Sequence, residues 1–290
     1  MGLRPLDPDH WLEPDDQRAA ELELKAALVA ERPDDVVAVL DRREVVAASA
    51  ELWEMVRAAT GGAVGSSAGA TTADVHPIVR CGLATQEDWV LLVPLDGALV
   101  LGAACVCFPT RWVLRDKIGL DTAAIHAPVA FYDEQLAAPV DSFVDRLTVD
   151  RPVWRLNWNL MDHPALFQPR RPDDGEPGGL EPGGLEPGGL EPGGAEPAPV
   201  GERVWLRIER QTLRRLPVTG AVAFSIRVHQ RPLSTLADDP DALSRLRSAV
   251  GELPAETYEY KGLHHLGDEL VTWLDEQLAE RPDSSRSEQP

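Results

Sequence analysis

Cysteine is scarce in this chain: Cys81, Cys105 and Cys107 are the only three among 290 residues. Their number and spacing exclude a disulfide framework, and a reducing cytoplasm is the expected setting. Long apolar runs are missing too. No stretch of eighteen apolar residues occurs, so no membrane span is expected. The opening MGLRPLDPDHWLEPDDQ has no apolar core behind a basic start, which argues against a secretory leader. Positive charge is short, with 28 Lys and Arg against 48 Asp and Glu, a net charge of −20 and a pI near 4.7. That field repels phosphate backbones and anionic lipid, so neither nucleic acid nor a membrane is an expected partner. A basic protein partner stays open. Phosphate-cradling GxxxxGK[ST], GxGxxG after a strand, GxSxG, HExxH and CxxC are all absent, so the chain is expected to carry no nucleotide site of its own.

What is present points to a folded domain, since 43% of the residues are hydrophobic. The first 60 residues read as helical. DDQRAAELELKAALVAE and DDVVAVLDRREVVAASAELWEMVRAAT carry apolar residues at three- and four-residue spacing. GGAVGSSAGATTAD (61–74) reads as a loop. QEDWVLLVPLDGALVLGAACVCFP (86–109) holds two apolar runs around Asp96-Gly97, a hairpin signal. PVWRLNWNL (152–160) alternates with period two, and so reads as a strand. EPGGL then repeats at 176, 181 and 186 within a Pro/Gly/Glu stretch, 171–200, that lacks the bulky residues needed to offset ordering entropy. It reads as a disordered loop between strands, because GERVWLRIERQTLRRLP and GAVAFSIRVHQRPL follow at once, with Pro217 to Gly220 as their turn. Asp239 and Pro240 open a helical tail. About five strands without βαβ alternation predict an α+β fold, an antiparallel sheet flanked by helices.

Three constellations can carry chemistry. Cys105 and Cys107 face one side of an apolar strand, where two small core residues are the simplest account. His126 lies near the end of a short helix that Asp121 or Thr122 can cap and Pro128 stops. Locally it reads first as a core or capping histidine bonded to a carbonyl, with a base or metal ligand as the alternatives. RIERQTLRRLP (207–217) places Trp205, Arg207, Glu209 and Gln211 on one face and Leu206, Ile208 and Arg210 on the other. Arg155, Asn157 and Asn159 on one flanking strand, and Ser225 and Arg227 on another, make this either a solvated outer face or the lining of a polar pocket.

The chain resembles the α-subunit of haem-dependent oxidative N-demethylase and its relatives. The resemblance rests on six collinear stretches: QEDWVLL (86–92), CFPTRWVLRDKIG (107–119), AAIHAPV (123–129), VWRLNWNL (153–160), RIERQTLRRLP (207–217) and FSIRV (224–228). Ala130-Phe131 replaces the Pro-Gly that usually follows HAPV in the family, and the EPGGL insert is peculiar to this chain. The resemblance implies a PAS-like antiparallel sheet with haem b held between sheet and helices. It divides the chain into an N-terminal helical region and loop (1–74), a haem-binding core (75–235) interrupted by the insert (171–200), and a C-terminal helical region with a frayed tail (236–290). His126 matches the family's proximal iron ligand. The implied activity is oxidation of a small secondary amine such as dimethylamine to a primary amine and formaldehyde, using O2. NADPH, FMN and a 2Fe–2S cluster belong to a partner reductase, in keeping with the missing nucleotide motif.

Physical chemistry then suggests roles for other residues. Oxygen activation calls for donors and a cation, which Arg207 or Arg210 with Gln211 can supply. A secondary amine is cationic at neutral pH, so its pocket should hold a carboxylate, and Glu209 is the candidate. Arg111 and Lys117 can pair with haem propionates, and Trp158 or Trp112 can pack on the porphyrin. Two other classes remain: a haem-based gas sensor on the same fold, and a haem-free partner-binding domain. His76 or a cysteine thiolate is the alternative iron ligand.

Overall fold

The structure is a computed structural model, and it describes residues 2–62, 75–127, 146–170 and 198–279. The EPGGL repeat, the Gly/Ser/Thr-rich stretch after Gly62, Pro128 to Phe131 and the end of the C-terminal tail lie outside the described residues. No helix among the described residues is long and apolar enough to cross a membrane.

Seven strands form one sheet: β1 (Arg4–Pro5), β2 (Val37–Val39), β3 (Asp88–Leu95), β4 (Ala98–Cys105), β5 (Val153–Met161), β6 (Trp205–Arg215) and β7 (Val222–Pro232). Their order is β1-β5-β6-β7-β3-β4-β2, and every pairing is antiparallel. With its helices this is the expected α+β class. Asp96 (φ 50) and Gly97 (φ 88) turn β3 into β4, a left-handed pair that suits the twist of a two-residue hairpin. β5 and β6, on either side of the EPGGL insert, pair from Val153↔Leu213 to Met161↔Trp205.

The two edge strands, β1 and β2, both lie within the first 60 residues, where helix is expected throughout. The stretch read as one helix from Asp34 to Thr60 is broken. Pro33–Val36 makes a single turn, β2 pairs with β4 (Val37↔Cys105), and the long helix starts only at Arg43. The stretch Val37-Ala38-Val39, with two β-branched residues, prefers the pleated edge once β4 offers one, an override of local periodicity by tertiary pairing.

The helices gather on one face of the sheet. Arg18–Glu31, Arg43–Ala59 and Pro77–Ala84 bury Leu52, Val56 and Ile78 with Trp89, Leu91 and Val93 of β3. At the other end Pro240–Gly251 and Gly267–Ala279 bury Leu243, Leu246, Leu270 and Leu274 against Leu160 and Leu206. Asp239 caps the first of these, accepting from the Ala242 N–H at 2.9 Å. Close approach sets one constraint. A Cβ built on Gly82 would lie 2.4 Å from Cys105 Sγ. Gly82→Ala is therefore expected to cost about 1–3 kcal/mol by overpacking, read as a lower urea midpoint. A Gly82→Ala/Cys105→Ala double variant should recover part of it, and an unchanged single-variant midpoint would show that the helix lifts freely.

His76 caps the same helix by accepting from the Ile78 N–H at 3.3 Å through Nδ1. Burial, helped by Arg80, lowers its pKa below the ordinary 6.5. A protonated ring loses the cap, so its stabilisation is complete above about pH 6.5 and declines as pH falls from there through the folded value. His76→Asn keeps an acceptor that does not titrate. Its urea midpoint should fall less steeply between about pH 7 and 5 than that of the wild type.

Candidate functional site

The sheet face opposite those helices carries both candidate centres. Its apolar half consists of Val90, Leu92, Val222, Leu213, Phe224 and Val153, covered by Leu114, Ile118, Ile125 and Leu147. Ile125 belongs to the one-turn helix Thr122–His126, which Asp121 starts by accepting from the Ala124 N–H at 2.8 Å. Asp121 also bridges to Val100 of β4, and Lys117 Nζ donates to the Ile125 carbonyl at 2.7 Å. The short helix that carries the half-buried His126 is thus held beside the apolar half by three local devices. Its Nδ1 lies 2.7 Å from the Thr122 carbonyl oxygen. A carbonyl only accepts, so the ring proton belongs on Nδ1 and the lone pair on Nε2. This is the tautomer an iron ligand needs.

The polar half is built by the β5–β6 register, which sets Arg155 opposite Gln211 and Asn157 opposite Glu209. Glu209 is buried. It accepts from Thr110 Oγ1 at 2.5 Å, Asn157 Nδ2 at 3.2 Å and Gln211 Nε2 at 2.7 Å. Arg155 Nε in turn donates to Gln211 Oε1 at 2.7 Å. All three donors to Glu209 are neutral, and among the described residues no cation makes a direct ion pair with it. A carboxylate offers about four acceptor positions, so roughly one remains for a further donor.

Arg207 is brought beside Glu209 but is otherwise engaged. It donates to the Phe108 carbonyl at 2.6 Å, the Leu166 carbonyl at 3.0 Å, Thr110 Oγ1 at 3.0 Å and Gln230 Oε1 at 3.0 Å. It fastens the chain before Thr110 and the chain around Leu166 to the sheet. Burial pushes its guanidinium down to about 10, with Glu209 acting in the opposite sense. Arg210 turns to the helix-covered face, where it donates to the carbonyls of His10 at 2.6 Å and Trp11 at 3.1 Å. Opposite it in register stands Arg227, neutralised by Asp15 at 2.5 Å and Glu21 at 2.9 Å. Arg210 therefore lies apart from Arg207, Glu209 and Gln211.

The three residues expected beside a porphyrin are dispersed. Arg111, in a left-handed conformation (φ 60), pairs with Asp162 and donates to the Arg170 carbonyl at 2.9 Å. Lys117 holds the end of the His126 helix, and burial lowers its pKa. Trp158 is on the helix-covered face, packed beside the C-terminal core with Lys261 Nζ 4.7 Å above its ring. Trp112, by contrast, packs in the apolar half beside Ile125. Sequence reading missed Thr110 and Gln230 as network members. Gln230 shares the Arg207 face by alternation along β7, a signal available in principle. Thr110 comes from an irregular segment, and only the tertiary fold delivers it.

The model of one protein family matches residues 58–271; it is described as haem-dependent oxidative N-demethylase, alpha subunit-like. That span holds all six stretches quoted above, His126 and the whole Glu209 network. It leaves out the helix Arg18–Glu31 and the charged segment that answers Arg210 and Arg227.

Proposed function

Because the chain belongs to the haem-dependent oxidative N-demethylase, alpha subunit-like family, we propose that it is the haem-holding subunit of an enzyme that demethylates a small secondary amine. The observation that carries the amine is Glu209, a buried carboxylate solvated by neutral donors and with no direct ion-pair partner among the described residues. Arg155, Arg207 and Lys261 act on it through space without touching it, and a cation that bonds the carboxylate directly would add to that. A dialkylammonium ion supplies one, together with N–H donors.

The described residues fit a haem. His126, whose Nδ1 is committed to the Thr122 carbonyl, would present Nε2 to the iron, and its helix packs on the apolar half of the sheet through Ile125. Bound there, haem would supply oxygen activation. The chain's own part is narrower. Thr122 fixes the His126 tautomer. Glu209 binds the amine and can hold its proton. Asn157, Gln211 and Thr110 orient the carboxylate, and Arg155 orients Gln211. Arg207 positions Thr110, and through it Glu209. The overall chemistry is R–NH–CH3 with O2, two electrons and two protons giving R–NH2, formaldehyde and water. The electrons come from a separate reductase carrying NADPH, FMN and a 2Fe–2S cluster. An alpha-type subunit is expected to have such a partner, and the buried free cysteines suit a cytoplasmic location. The enlarged PAS-like reading of the sheet is part of the same proposal, supported by its antiparallel pairing and by the short helix packed against it through Ile125.

A PAS-type haem sensor is the second reading. Glu209 weighs against it, because a neutral diatomic gas needs no carboxylate. The test is formaldehyde release from small secondary amines by haem-loaded protein with a supplied reductant. Turnover is expected with dimethylamine-like substrates. A full haem complement without any turnover would leave the sensor standing.

A further inference from the structure

Side-chain amines are as scarce in this chain as thiols. Lysine occurs only at Lys25, Lys117 and Lys261, and all three cysteines are buried. Two of the amines are shut in. Lys25 is fully buried, 3.0 Å from Asp88 and 2.5 Å from the Glu87 carbonyl. Burial opposes its charge, yet Asp88 and the neighbouring cysteines outweigh burial and raise its pKa, so it stays an ammonium. Lys261 Nζ donates to the Trp158 carbonyl at 2.6 Å and lies 4.7 Å from the centre of the Trp158 ring, so carbonyl and ring cover it. Lys117 is half-buried, and its Nζ donates to the Ile125 carbonyl at 2.7 Å. It follows the turn Leu114–Asp116, and Leu114 and Ile118 pack in one apolar cluster with Ile125. Burial lowers its pKa against the pull of Asp116, which raises the share of free amine near neutral pH. A free lysine amine is the nucleophile that attacks carbonyl compounds. The demethylation proposed above releases one, formaldehyde.

We propose that Lys117 is a modification site for formaldehyde, and that its adduct loosens the His126 helix and so acts as product feedback on the enzyme. The Lys117 nitrogen adds its electron pair to the formaldehyde carbon. The displaced C–O pair takes up the proton that nitrogen gives up, forming a carbinolamine. Loss of the hydroxyl and the remaining N–H proton as water leaves a CH2=N imine. Both steps are reversible, and neither needs an oxidant or a reductant. The neutral imine has no N–H. The Ile125 carbonyl therefore loses its donor, and the one-turn helix keeps only the Asp121 cap and the bridge to Val100. The inference rests on the N-demethylase reading and deepens it by naming how the product would regulate the same site.

Full-length protein incubated with formaldehyde and trapped with cyanoborohydride is expected to carry methylated Lys117, with Lys25 and Lys261 unmodified, read by peptide mass. Without the trapping agent, hydrogen exchange at the Ala124 and Ile125 amides should speed up about tenfold, the size of one lost charge-assisted bond. Dialysis should reverse it. Lys117→Arg keeps a donor for the carbonyl and forms no such imine, so formaldehyde should leave its exchange as in its own untreated sample. No adduct at Lys117, or methylation of Lys25 or Lys261 ahead of it, overturns the site and leaves the demethylase reading intact. An adduct without faster exchange overturns the feedback, as does equal acceleration in Lys117→Arg. Absence of amine turnover by haem-loaded protein removes the source of formaldehyde and with it the feedback, whatever Lys117 does with the added aldehyde. Should Lys117→Arg fail to fold, the wild-type adduct map and exchange rates decide alone.

Discussion

Replacing His126 with alanine is expected to remove the Soret band of the haem-reconstituted protein, with apparent haem affinity falling about a hundredfold or more. The reasoning is local. Nδ1 is committed to the Thr122 carbonyl, so Nε2 carries the lone pair, and the one-turn helix is set by Asp121 and Lys117 rather than by the imidazole. The variant should therefore fold. Far-UV circular dichroism and the urea midpoint should match wild type, apart from the Thr122 carbonyl turning to water. Added imidazole should restore part of the band by filling the vacated position. An unchanged band would move the ligand elsewhere. Cys81 and Cys107 are poor substitutes: burial pushes the Cys81 thiol up, the hydrogen bond with Cys105 together with burial pushes up that of Cys107, and a ligating sulfur must be a thiolate. His76 would then be the residue to test.

Glu209→Gln is expected to lower kcat/KM for secondary amines by about a hundredfold or more while leaving the Soret band in place. Removing the charge deprives the ammonium of its buried counter-ion, a loss of roughly 2–5 kcal/mol for hydrogen-bonded buried charge pairs. The amide brings a second difficulty. Asn157 and Gln211 both donate toward one carboxylate oxygen, and an NH2 group in that place meets two donors. Asn157→Ala, which removes one neutral donor and keeps the charge, should cost only about tenfold. The two sites should separate cleanly: His126→Ala abolishes the spectrum and activity together, Glu209→Gln the activity alone. Activity unchanged in Glu209→Gln would remove the carboxylate from amine binding and reopen the sensor.

Much of this protein is legible in its linear order. The Asp96-Gly97 hairpin, the period-two strand from Val153, the Asp239 cap and the helix that ends at His126 follow from short-range chemistry: left-handed turn residues, side-chain alternation and orphan amides at helix starts. Alternation along β6 separates Arg210 from Arg207, Glu209 and Gln211. The family, too, can be read from the six collinear stretches. Other features depend on partners distant in the chain. β2 forms because β4 presents an edge to a β-branched run. Trp158 belongs to the C-terminal core because helices far downstream cover its face. Arg207 is drawn into loop anchoring by carbonyls of Phe108 and Leu166, 99 and 41 residues away. Sequence by itself determined which residues can be ligand, acid and cation, since that is a matter of side-chain chemistry and local backbone. Only the tertiary structure decided which of them meet. The meeting depends on strand register and on long-range donors such as Thr110, neither of which any local window encodes.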